Sequence, residues 1–293
     1  MSRCGWCGAA LGEGRRRVGR RALCAECGAW TTDPSPSERE LEVAYAGWYR
    51  PAAGRFSGFG DRLLRRLRGS LAGRIDRFAP PGPILDVGAG DGALLEALHR
   101  RGRYAIGTDP RSRRPDVLDM DLAEVEGRWA AVVFWHSLEH LPDAGAALER
   151  AASVLEPRGA LAIAMPNPAS LQAAVFRERW FANDFPRHLV HVPARVLLAR
   201  LRGLGLSVER VSYLRGGQVA FGWLHGLVDR LSGGRSLYDA LRRPEARESP
   251  MSGAVRGAVL LGAVLLLPVA VACAAIEVAC RRGGTVYVEA RRV

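Results

Sequence analysis

Lysine is absent from this chain of 293 residues, so all 42 basic side chains are arginine. A formal charge of +12 invites a nucleic-acid reading. An all-arginine surplus, however, reads as a compositional bias more than as selection for phosphate contacts. The arginines are also spread along the chain, with local runs at 15–17, 65–68 and 111–114 among others. The first residues hold no apolar h-region, so no signal peptide is expected. Cysteine is scarce: four residues lie near the N-terminus and two in a late apolar segment. That is no disulfide framework, and the expected compartment is reducing. What remains is ordinary globular composition, 48% hydrophobic and 25% charged. The length allows one large domain with a small appendage.

The most informative stretch is Ile84-Leu-Asp-Val-Gly-Ala-Gly-Asp-Gly-Ala-Leu-Leu-Glu-Ala-Leu98. Ile84 to Val87 predict a short buried strand, and Gly92 to Arg100 a helix. Between them Gly88, Gly90 and Gly92 form a tight turn that lets a ligand touch bare backbone at a helix N-terminus. Glycines alone also satisfy a loose dinucleotide fingerprint. Asp86 and Asp91 discriminate, because two carboxylates repel a pyrophosphate. S-adenosylmethionine carries an ammonium and a sulfonium, which carboxylates favour. The next strand, Tyr104 to Asp109, ends in an acid about 20 residues after the loop, the place for a ribose-hydroxyl acceptor.

On these residues the chain resembles class I methyltransferases, whose first motif reads D-x-G-x-G-x-G. The resemblance implies an α/β, Rossmann-like seven-stranded sheet and S-adenosyl-L-methionine as cofactor. Asp116 to Leu122 then read as the third strand, with Asp119 or Asp121 placed to accept from the adenine amino group. Trp129 to Trp135 form a continuous apolar fourth strand, buried on both faces. Trp135 and His136 at its end border the cofactor crevice. The run His136-Ser-Leu-Glu-His-Leu-Pro-Asp143 is similar to a subfamily of small-molecule methyltransferases near the ubiquinone-pathway enzymes. Its members usually carry an aspartate where this chain has Ala130. Asp184-Phe-Pro-Arg-His-Leu-Val-His191 matches an element of the same subfamily that lies over the substrate side. The N/D-P-P-F/Y signature of nucleic-acid N-methyltransferases is missing after the fourth strand, which counts against base methylation.

Methyl transfer is an in-line displacement, so the enzyme mainly positions and desolvates the reacting pair. A hydroxyl or carbon acid also needs a base, for which histidine is suited near neutral pH. His136, His140, His188 and His191 lie in two elements expected to flank one crevice. His140 and His191 are the first candidates for the base and His188 a further one, with Asp184 or Glu139 as orienting carboxylates.

Cys4-Gly-Trp-Cys7 and Cys24-Ala-Glu-Cys27 are separated by sixteen residues. Two such turns predict a closed Cys4-type zinc ribbon, structural and not catalytic. Some 30 residues bury too little to fold alone, so the metal must supply folding energy. Loss of Cys24 is then expected to unfold the ribbon and leave residues 84–200 folded. Thr31 to Ser37 read as a linker, Glu38 to Tyr49 as a helix ending in Tyr45, Trp48 and Tyr49, and Asp61 to Phe78 as an amphipathic helix.

Residues 284–291 alternate like a last antiparallel strand, and Gln218–Leu231 and Gly257–Ile276 before them are apolar. The second holds twenty residues without a charge, long enough to cross a bilayer. Because both ends of this insert adjoin the sheet, the expectation is a monotopic or re-entrant hairpin broken near Pro268, with Arg256, Arg281 and Arg282 near lipid phosphates. A buried helix pair or a homodimer interface is the alternative. The expected organisation is a zinc ribbon (1–30), a linker with capping helices (31–82), the methyltransferase domain (83–216 with 283–293) and the apolar insert (217–282). The expected activity is methyl transfer to oxygen or carbon of a small-molecule, sugar or lipid-linked acceptor, in the cytoplasm at the inner face of the cell membrane. An RNA-binding methyltransferase guided by the ribbon is the other reading.

Overall fold

The computed structural model describes every residue except 1, 47–55, 57–58, 111, 113, 215–217 and 235. It opens on β1 (Arg17–Val18), β2 (Arg21–Leu23) and β3 (Trp30–Thr32), an antiparallel meander carrying the cysteine turns. The ribbon therefore runs past residue 30: Thr31, Thr32 and Asp33 are buried, and Asp33 pairs with Arg15 and Arg17. Only the following residues connect to α1 (Glu38–Ala44), which starts on a capping box between Ser37 and Glu40. Trp48 and Tyr49 lie outside the described residues. Helix α2 (Phe59–Phe78) buries Leu71 and Ile75 against the sheet, whereas Leu63, Leu64 and Leu67 are exposed. Its amphipathic stripe is thus used only in the C-terminal half. There Arg74 reaches the buried Glu289, which also accepts the hydroxyl of Tyr287 at 2.8 Å.

The core continues through β4 (Ile84–Val87), α3 (Ala93–His99), β5 (Ala105–Thr108), β6 (Val117–Leu118), β7 (Trp129–Trp135), α4 (Ala144–Val154) and β8 (Leu155–Pro166). The third strand is shorter than the sequence suggested; Asp119 and Asp121 lie beyond its end and are exposed. Then come α5 (Leu171–Phe176), β9 (Val190–His191), α6 (Ala194–Gly203), β10 (Leu206–Ser212), α7 (Val219–Leu231), α8 (Leu237–Leu241), α9 (Gly253–Ala279) and β11 (Thr285–Arg292). Seven strands form one sheet in the order β10-β11-β8-β7-β4-β5-β6, with β11 antiparallel to both neighbours. The strand order reverses between β4 and β7, so the carboxyl ends of these two strands flank the crevice where such sheets bind ligands.

β9 joins the ribbon instead of the large sheet, giving the order β1-β2-β3-β9. Cys4, Trp6, Leu11, Ala22, Cys24 and Ala29 share one apolar core with Leu138, Leu148, Val190 and Leu197. The ribbon is therefore fused to the domain and is no independent appendage.

Helix α9 runs unbroken through Pro268, so the expected break there does not occur. The hairpin is made by α7 against α9. Its inner stripe, Val259, Ala263, Ala270, Ala274 and Glu277, is buried, while Leu261, Val264, Leu265, Leu267, Val271 and Ile276 are exposed. A wholly internal helix is thereby ruled out. Among the described residues it is the one helix long and apolar enough to cross a membrane. Yet both ends are tied to the domain: one leads into β11, and near the other Arg256 Nε donates to Ala240 O (2.8 Å) while Arg243 Nε donates to Phe56 O (2.8 Å) and its guanidinium pairs with Asp61 (3.6 Å).

Candidate active site

Every glycine of the loop after β4 is in the left-handed region: φ is 76° at Gly88, 61° at Gly90 and 67° at Gly92. At Gly88 the space is also closed, because a Cβ would stand 2.5 Å from Ser137 Cβ. That contact brings the loop against the turn following β7. Gly90 N donates to Asp109 Oδ2 at 3.0 Å, so the acid after β5 first of all shapes the loop. Asp86 is buried, and its carboxyl is pushed up to about 7 by burial, with Asp91 and Asp109 adding and Arg68 opposing. Three acids around one loop in a poorly solvated crevice are an environment that welcomes a cationic ligand. The residues present thus fit S-adenosylmethionine and not a pyrophosphate. Asp121 caps the following turn in a capping box with Glu124.

On the other side of the crevice, His136 takes a left-handed conformation (φ 52°), held by its N–H on Ala164 O at 2.8 Å. Its Nδ1 lies 3.3 Å from Glu139 Oε1. Glu139 is almost fully buried; burial favours its neutral form, but the bond from His136 and the nearby rings of His136, His188 and His140 hold it below the usual range. His140 Nδ1 donates to Arg187 O (3.0 Å), with Tyr45 Oη also at 3.0 Å. Burial, then His188, push His140 down to about 4, so the ring is neutral at physiological pH. His188 Nδ1 donates to Ala182 O at 2.8 Å, and its ring sits 4.7 Å from that of His140. Asp184 lies 3.5 Å from His188 Nε2 and pairs with Arg187; despite its burial, His188 and Arg187 keep it ionised.

His191 differs. It is 1% exposed, both ring nitrogens lack a hydrogen-bond partner, and burial with nearby Arg21 holds it well below its ordinary value. It lies where β9 pairs with β3, its ring 6.1 Å from that of His188, and it is less accessible than His140. Glu139, His140 and His188 come together, each offering a ligand-capable atom within 4.8 Å of the others. Two participants escaped the sequence. Arg68, read as part of a compositional run, lies over the Trp135 ring at 5.6 Å and acts on Asp86. Tyr45, placed by the sequence only near the end of a helix, touches His140.

At the ribbon, the sulfurs of Cys4 and Cys27 are 3.7 Å apart, as are those of Cys7 and Cys24. A tetrahedral zinc with bonds of about 2.3 Å has an edge of about 3.8 Å, so the donor set fits that ion. Ala29 N donates to Cys27 Sγ at 3.4 Å, a partner typical of metal thiolates.

This sheet order, the glycine loop and the acids around it define a class I S-adenosylmethionine-dependent methyltransferase. A family model described as a methyltransferase domain matches residues 61–211, just over half of the chain. The ubiquinone biosynthesis O-methyltransferase of Xanthomonas axonopodis pv. citri (strain 306) is 32% identical, over 46% of this chain and 67% of that protein. Its counterpart in Xanthomonas euvesicatoria pv. vesicatoria (strain 85-10) is 31% identical, over 44% and 64%. Among solved structures, the magnesium protoporphyrin IX methyltransferase of Synechocystis PCC 6803 with bound SAH is 20% identical with a TM-score of 0.41, over 51% of this chain and 76% of that one. The chain belongs to the methyltransferase-domain family.

Proposed function

We propose that this protein methylates oxygen or carbon of a small acceptor, free or lipid-linked, at the inner face of the cell membrane. The observation that carries the reading is the contact of Gly88 with Ser137, which sets the donor loop beside the His136–His140 turn. When bound, S-adenosylmethionine supplies an electrophilic methyl group on a sulfonium. The chain's own work is to align the acceptor, exclude water and receive a proton. His140 suits the last task in geometry: its Nδ1 is committed to Arg187 O, which leaves the Nε2 lone pair for the acceptor. Oxygen is the preferred atom, by analogy with the O-methyltransferases to which the chain is similar.

Cys4, Cys7, Cys24 and Cys27 hold a structural zinc in this reading. The exposed apolar face of α9, tethered at both ends, lies flat in the lipid interface. RNA is a weaker partner: Arg15, Arg17, Arg74, Arg103 and Arg114 are engaged with acids of the same chain.

Calorimetry with S-adenosylmethionine, followed by product masses from a panel of hydroxylated and lipid-linked acceptors, tests the proposal. Binding by wild type and its loss in Asp86→Ala with Asp109→Ala are expected. A wild type that binds no cofactor would sink it. RNA retention that falls steeply with salt would move the acceptor to nucleic acid.

A further inference from the structure

We infer that Arg21 and His191 form a carboxylate-binding site at the seam between the ribbon and the large sheet's domain, for an acidic group on the acceptor. Side chains alternate along a strand. The registers Arg21↔Thr32, Leu23↔Trp30 and Trp30↔His191 therefore put Arg21, Trp30 and His191 on one face of the small sheet. The Arg21 guanidinium lies over two indoles, 5.6 Å from the Trp30 ring and 5.7 Å from the Trp180 ring. Arg21 is 6% exposed and His191 1%. Neither is satisfied there. Arg21 Nε and both ring nitrogens of His191 have no hydrogen-bond partner among the described residues, and Arg21 Nη2 reaches Arg177 O only at 3.5 Å. A buried cation and a buried imidazole left bare are costly unless a ligand meets them.

The neighbouring acids do not fill that role. Glu178 is exposed and its Oε1 accepts from Gly19 N at 3.3 Å, while Asp184 pairs with Arg187. Burial lowers Arg21 to about 10 and Glu178 opposes this, so the guanidinium stays charged at neutral pH. The donors select the kind of anion. A guanidinium edge matches the two oxygens of a carboxylate, and one N–H of a neutral His191 ring adds a further donor. A row of rings ties this place to the crevice: His191 lies 6.1 Å from His188, and His188 lies 4.7 Å from His140. The inference rests on the methyltransferase reading, in which an acid held at Arg21 leaves the rest of a small acceptor to reach past His188 to His140.

The test uses the full-length protein with its cysteine-bound metal retained, isotopically labelled at its histidine nitrogens and titrated with acetate alone, then with chloride alone. One acetate per chain is expected, shifting the ring nitrogens of His191, whose signals are assigned by their loss in His191→Asn. Arg21→Gln should weaken acetate about tenfold or more, and Arg21→Lys should recover only part, because an ammonium cannot offer the fork. Near-UV circular dichroism, metal content and S-adenosylmethionine affinity report that each variant is folded. Wild type that binds no acetate, or binds chloride equally well, would overturn the site, as would folded Arg21→Gln that binds acetate unchanged. In methyl transfer, acid-bearing acceptors should show a lower KM than their amides, a preference that Arg21→Gln loses while kcat is kept. Equal KM for acid and amide in wild type overturns the assignment to the acceptor. Acetate binding that Arg21→Gln loses, in a protein that methylates nothing, supports the site and removes only the transfer reading.

Discussion

Trp30 of the ribbon and His191 of the site element are register partners across an antiparallel pair. Two residues further along, Thr32 N donates to Leu189 O at 2.8 Å and Thr32 Oγ1 to His188 O at 2.7 Å. The ribbon strand therefore sets the backbone from which His188 projects.

Metal loss should then be felt beyond the ribbon, contrary to what the cysteine spacing alone suggests. Cys24→Ser is expected to release the metal and to raise amide exchange at residues 188–191 together with residues 2–33, while β4 and β7 stay protected. Methyl transfer should fall further than S-adenosylmethionine affinity. Unchanged protection at 188–191 after metal release would show that the ribbon is separable.

Asp86 makes cofactor affinity depend on pH. Its carboxyl stands at about 7 in the folded chain because of burial, whereas an unfolded aspartate titrates near 3.9. Between those values the unfolded chain is ionised and the folded chain still protonated, so this group costs stability as pH rises from about 4 to 7. A cationic ligand prefers the ionised form. Affinity for S-adenosylmethionine should climb by up to about tenfold per pH unit below 7 and level off above it. Calorimetry between pH 5.5 and 8 checks this, and Asp86→Asn should bind weakly with a flat profile.

Glu277 anchors the insert. It accepts from Gln172 N (2.8 Å), Gln172 Nε2 (2.8 Å) and Trp223 Nε1 (2.9 Å), all buried. Glu277→Ala strands three donors at about 1–3 kcal/mol each, enough to detach α9 or unfold the domain. A thermal melt and limited proteolysis would show it, and Glu277→Gln should recover part of the loss. The knot also bears on removing residues 217–281: such a deletion strips Trp223, Ala270 and Ala274 from Phe176 and Trp180, so a silent excision is not expected.

The outer face of α9 should bind lipid. Full-length protein is expected to sediment with anionic vesicles, resist release by salt and come off with detergent. Leu261→Glu with Leu265→Glu removes two exposed leucines, each worth about 1.5–3 kcal/mol when fully buried. Vesicle binding should drop by more than about tenfold. Wild type that remains soluble without detergent and sediments as a dimer would assign this face to a second copy.

The strands around the cofactor were legible because their signals are local. Ile84–Val87 and Trp129–Trp135 are apolar runs bounded by turn residues, and the observed strands have those limits. The glycine loop and its acids were legible for the same reason: left-handed backbone and a carboxylate's charge are properties of single residues. The paired cysteine turns likewise predicted that four sulfurs would cluster, and Cys4, Cys7, Cys24 and Cys27 do come together. What tertiary structure alone decided was pairing between distant segments. His191 and His188 look equivalent in sequence, yet strand pairing sets the first opposite Trp30 and leaves the second beside His140. Arg68 and Tyr45 entered the site through the placement of α2 and α1, which no local pattern encodes. Pro268 suggested a break, but packing of α9 along α7 and the Glu277 anchor keep the helix continuous, because contacts spread over its length outweigh one missing hydrogen bond.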